Sequence, residues 1–201
     1  MVKGEPEATL TRRAFALEGL TVAWNTVEAA VAVIAGVAAG SIALIGFGLD
    51  SLIEVFAAGV VIWQLRGGSE ERERLALRLI AGSFFALAAY VSIEALRDLL
   101  LGHEPGTSTP GVVLAAVSLA VMPSLALAKR RTGQRLGNPV LVADSTETLL
   151  CAYLSAILLV GLALNATVGW WWADPLAGLG IAYFAVREGR EAWEGEEGEE
   201  S

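Results

Sequence analysis

Four side chains set the problem: Asp50 and Glu54 in GFGLDSLIE, and Glu147 and Cys151 in VADSTETLLC, each pair four residues apart inside an otherwise apolar stretch. That spacing places both members of a pair on one face of a helix, one turn apart. Two carboxylates so placed repel each other. An ionisable group at bilayer depth also costs about 2.5–3.5 kcal/mol on insertion scales, so such residues face a bundle interior and are functional by default. Two helices, each presenting two donors one turn apart, can close four donors around one ion. A divalent cation is the natural partner, because it neutralises carboxylates that could not otherwise stay charged away from water. The alternative is that these acids are protonated or paired with arginine, and no Lys or Arg is expected at matching depth in any span.

The elements that carry these donors follow from composition. The chain has 201 residues, of which 55% are hydrophobic. A helix needs about 20 mostly apolar residues to cross the hydrocarbon core. Six such runs are expected, over residues 15–39, 42–65, 75–101, 111–128, 140–164 and 171–186. Six in succession leave no polar surface to cover them in water, so the fold class is an all-α integral membrane protein, a six-transmembrane-helix bundle. The first run is expected to be an anchor rather than a cleaved signal peptide. The expected organisation is a cytoplasmic arm over 1–13, a transport domain over 14–190 and an acidic disordered tail over 191–201. Cys151 is the one cysteine, so no intrachain disulfide forms.

The net charge of −8 hides a one-sided pattern. All of the 14 Lys and Arg except Arg97 fall before the first run, around the loop between the second and third, between the fourth and fifth, or after the sixth. Positive charge in short loops marks the cytoplasmic side. A multi-pass protein of the cell (inner) membrane with both termini cytoplasmic is therefore expected. The partners implied are lipid, ions and protons, with no nucleic acid.

Further polar residues need an account. Asn25 and Glu28 form a pair on the first span that could complete a coordination shell, carry protons or hydrogen-bond between helices. Glu94 and Asp98 lie beside Arg97, where an interfacial ion pair is expected. His103, the only histidine, is expected in an outer loop, and Trp170, Trp171 and Trp172 in an interfacial belt. Small residues such as Gly36 with Gly40 and Gly178 with Ala182 permit close helix contact. Asn138-Pro139 and Asp174-Pro175 read as helix openings.

GSIALIGFGLDSLIEV, the span-five pattern ADxxExxxC and the Asp174-Pro-Leu-Ala-Gly opening of the sixth helix resemble the transmembrane domain of the cation diffusion facilitator family, in particular small members without a large cytoplasmic domain. The resemblance implies six helices, a homodimer, and metal-for-proton exchange at a mid-membrane tetrahedral site shared by helices two and five. It puts Asp50 and Glu54 at the second-helix ligand positions. Glu147 and Cys151 stand where the family usually has His and Asp. Asp144 matches an acid one turn before these ligands and takes a supporting role. Loss of the His and gain of a soft thiolate leave metal identity open.

The expected function is proton-coupled export of a divalent metal, Zn2+ first, with Mn2+, Fe2+, Co2+ and Cd2+ as alternatives and no prosthetic group. Export of small organic cations and non-transporting metal sensing are the competing readings. An enzyme is not expected, since GLDS is not the GxGD of membrane aspartyl proteases and no Ser-His or HExxH pairing occurs.

Overall fold

The computed structural model describes residues 7–64 and 70–197, and among these it is built of helices alone. They are α1 (Glu7–Ala39), α2 (Ile42–Gln64), α3 (Glu70–Leu101), α4 (Thr109–Leu136), α5 (Pro139–Val168) and α6 (Ala173–Glu197). The six expected segments are all present. Their ends are set locally. Ser108 accepts from Gly111 N–H at 3.2 Å and Asn138 from Leu141 N–H at 3.0 Å, each opening a helix with proline in its first turn. Gly137 and Gly169, at φ 62° and 70°, close α4 and α5 in the left-handed conformation that suits glycine.

Among the described residues α1, α2, α4 and α5 are long and apolar enough to cross a membrane unaided. By the same measure α3 and α6 fall short. Both carry charge where the others carry aliphatic residues: Glu70 to Arg78 opens α3, and Arg187 to Glu197 closes α6. They pack along each other and complete the bundle, while α1 packs on α2 and α4, and α4 on α5. Helix α6 continues to Glu197, so the tail expected to be disordered from residue 191 is helical that far. Residues 65–69, in the loop expected between the second and third spans, lie outside the described residues.

Close approach of backbones explains one of the expected small-residue positions, Gly36. A Cβ on Gly36 would stand 2.9 Å from the Ile45 nitrogen, so α1 and α2 meet there through main chain. At the start of α2, Ser41 donates to Asp174 Oδ1 at 2.5 Å, and the Ala43 N–H reaches Asp174 Oδ2 at 3.4 Å. Asp174 thus caps α2 from the first turn of α6. Between the helices Phe47, Leu44, Met122 and Leu158 fill the main apolar core. Between α5 and α6, exposed Trp170 and Trp172 stack with centroids 4.9 Å apart.

Candidate metal centre

The inner face of α1 presents Glu18, Thr21, Asn25 and Glu28, all buried and spaced as successive turns of one stripe. Helix α2 turns Asp50, Ser51 and Glu54 toward it, and α5 brings Cys151. One ligand atom each from Asp50, Glu54 and Cys151 lie within 4.8 Å of one another. Among the described residues this is the group of three His, Cys, Asp or Glu ligand atoms that converges. Three of the four ligands expected from spacing are therefore together. Glu147 stands one turn earlier on α5, half-buried, and lines the same small pocket with Phe84 and Glu188, outside the three-atom group.

The α1 stripe supports these donors. The Asn25 amide donates to Glu54 Oε2 at 2.6 Å, and the Ser51 hydroxyl donates to Glu28 Oε2 at 3.1 Å. Cys151 Sγ stands 4.0 Å from that same Glu28 oxygen. Asn25 and Glu28 thus take part in contacts between helices, one of the roles their spacing suggested.

Asp144 corrects an expectation. Lys129 reads from sequence as a loop residue, but α4 runs on through it to Leu136 and buries it completely. Its ammonium donates to Asp144 Oδ2 at 2.6 Å and to Glu18 Oε2 at 3.1 Å. A cation does therefore lie among the buried acids, and Asp144 is its partner. The apolar run stops at Ala128 because a lysine follows, yet helix and burial both continue past it. Glu18, which lies outside the spacing argument, is detectable as the first residue of the polar stripe on α1. Elsewhere the bland readings hold. Arg97 donates to Glu94 at 3.3 Å on an exposed face, and His103 is exposed beside a cavity that Asp98 and Glu104 also line.

Comparison with known proteins places the chain in a family. The chain is 27% identical to an uncharacterized transporter of Synechocystis sp. over 155 residues, 72% of this chain and 50% of that protein. It is 33% identical to the cation-efflux pump FieF of Shewanella oneidensis over 106 residues, 52% of this chain and 34% of the pump. The chain thus spans half the length of the first relative and about a third of the second. The family model described as the cation efflux transmembrane domain matches residues 20–194, nearly the whole of the described bundle. The chain therefore belongs to the cation efflux transmembrane domain family, a family of transporters and not of enzymes.

Proposed function

We propose that this chain exports a divalent metal cation across a membrane in exchange for protons. Asp50, Glu54 and Cys151 hold the ion, and Glu147 meets it from the more open side of the pocket. The observation that carries this reading is the convergence of three buried ligand atoms from two helices within 4.8 Å. Zinc bonds of about 2.0–2.3 Å in a tetrahedral shell put neighbouring donors about 3.3–3.6 Å apart. Small rotamer changes would draw the three atoms onto such an ion. The mixed oxygen and sulfur set suits Zn2+ first, ahead of Mn2+, Fe2+ and Co2+, and suits Cd2+ through its soft thiolate.

Ligands must be deprotonated to bind, so metal loading releases protons and proton loading expels metal. The ion enters from the cytoplasmic side in this scheme, and helix movement then opens the site outward. Residues 14–190 form the transport domain, both termini are cytoplasmic, and the working unit is a homodimer within the membrane. Purified chain in sealed proteoliposomes, with a trapped metal indicator and a pH indicator, tests the reading. Uptake of Zn2+ coupled to counterflow of protons, lost in Asp50→Asn, is expected. Absence of flux for every ion in a panel of Zn2+, Mn2+, Fe2+, Co2+ and Cd2+ overturns it.

A further inference from the structure

Behind the three converging donors, the α1 wall holds polar atoms that nothing in the fold satisfies. Glu28 is fully buried. Its Oε2 is tethered by Ser51 at 3.1 Å, next to Cys151 Sγ at 4.0 Å, but its Oε1 has no hydrogen-bond partner. Asn25 Oδ1 is unpartnered too. Ser118 and Trp24 face the Glu28 carboxylate without completing hydrogen bonds to it. Native structures leave few buried polar atoms unpaired, and clusters of them mark a missing water or ion.

We propose that Glu28 is itself a ligand of the transported ion, so that the coordination shell is drawn from α1 as well as from α2 and α5. This inference rests on the reading of Asp50, Glu54 and Cys151 as the metal site. The geometry supports it in two ways. Cys151 donates to Glu28 Oε2 at 4.0 Å, about 0.5 Å beyond the separation of two donors sharing one ion, so Glu28 stands just outside the three converging atoms and one rotamer change would bring it in. Ser51 holds one oxygen in place, so the carboxylate is oriented before any ion arrives. Chemistry is consistent with it as well: with Glu147 left at the pocket's open side, Asp50, Glu54, Cys151 and Glu28 make four anionic donors, the charge of zinc sites built from cysteine thiolates alone. Glu28 Oε1 is buried and completes no hydrogen bond, which leaves it open to an ion. With Glu28 in the shell, α1 moves with the ion instead of only enclosing it.

Co2+ is the probe, titrated into the purified full chain in detergent. Its d–d bands report donor number and type, and its near-ultraviolet charge-transfer band reports the thiolate. Parent protein should show both, and Cys151→Ser should lose the charge-transfer band. Glu28→Gln keeps the side chain's size and its contact with Ser51. It should weaken Co2+ binding by about tenfold or more and shift the d–d bands, with the thiolate band retained at saturation. Glu28→Asp, which shortens the carboxylate, should restore part of the affinity. It also serves as the comparison if thermal melting shows Glu28→Gln to be unfolded. Parent-like affinity and d–d bands in the folded Glu28 variants, beside a Cys151→Ser protein that loses the thiolate band, overturn the role of Glu28 and leave the site standing. A parent without a thiolate band, or a Cys151→Ser protein with the parent's spectrum, overturns the site and this inference together.

Discussion

Lys129, wholly buried, donates to the nearly buried Asp144 across 2.6 Å, and the same ammonium reaches Glu18. One cation thereby ties α4 to both α5 and α1. Removing one partner of a buried ionic network typically costs about 3–5 kcal/mol, because the remaining charges are left uncompensated. Lys129→Met should therefore lower the melting temperature in detergent sharply. Adding Glu18→Gln and Asp144→Asn to that variant should recover much of the loss. No recovery in the triple variant would mean that lysine's packing, not its charge, is what the bundle requires.

Asp50→Asn removes one charge at constant size. Binding through deprotonated ligands must tighten as pH rises and weaken as pH falls. Calorimetry in buffers of differing ionisation enthalpy should show fewer protons released per Zn2+ in the variant, and weaker binding. The bundle should melt no lower than the parent, since one less carboxylate has to be kept from water. Parent-like proton release in folded Asp50→Asn would exclude Asp50 from the site.

Cys151 is the soft donor of the set. Bound Zn2+ or Cd2+ should slow its alkylation, because a coordinated thiolate is protected. Cys151→Asp should keep transport and shift preference from Cd2+ toward harder ions such as Mn2+. A Cys151→Ala protein that carries every ion as the parent does would make the residue a packing group.

Topology is open to thiol labelling. Gly133 is a poor site for a reporter, since a Cβ there would meet Val142 Cγ2 at 2.9 Å. Gln134, one residue on, is exposed near the end of α4, and Thr107 is exposed in the loop before α4. With both termini cytoplasmic, Thr107→Cys should react with an impermeant reagent added outside intact cells, and Gln134→Cys should not. Labelling of Gln134→Cys from outside would reverse the proposed orientation.

Gly36 tests the packing of α1 on α2. Its missing Cβ would collide with the Ile45 backbone nitrogen at 2.9 Å, and main chain cannot swing aside as a side chain can. Gly36→Val should destabilise by about 1–3 kcal/mol and weaken metal binding by separating Asn25 from Glu54. Gly59, with nothing near an added Cβ, supplies the control, since Gly59→Ala should melt as the parent does or slightly higher.

Legibility in the sequence follows the physics of each residue. Asp50, Glu54 and Cys151 can be found because a charge or thiol in a long apolar run has few bland explanations, and helical periodicity fixes which of them share a face. Pro139 and Pro175 give away helix openings, since proline suits a first turn and few other helical positions. Lys129 escapes for the converse reason. A lysine at the end of an apolar run reads as a loop residue, and only the three-dimensional meeting of α1, α4 and α5 shows that two carboxylates await it. The ends of α3 and α6 are hard to place because charged residues there continue a helix that hydropathy alone would stop. Glu28's nearness to the thiol is a long-range contact, which no spacing within one helix could disclose.

The clasp between Ser41 and Asp174 bears on biosynthesis. The two residues are 133 positions apart. Ribosomes add about 5–20 residues per second, so roughly 7–27 s of translation separate the first appearance of α2 from that of its cap. During that interval the amides at the start of α2 lack the carboxylate that will satisfy them, and the helix bearing Asp50 and Glu54 is anchored at neither end by α6. A nascent chain arrested before Asp174 would hold all of the converging donors, with α2 docked on α1 through Gly36, Ser51 and Glu54 but not yet capped by α6. Helix α6, emerging long after α2, thus completes the cap on the helix that carries Asp50 and Glu54.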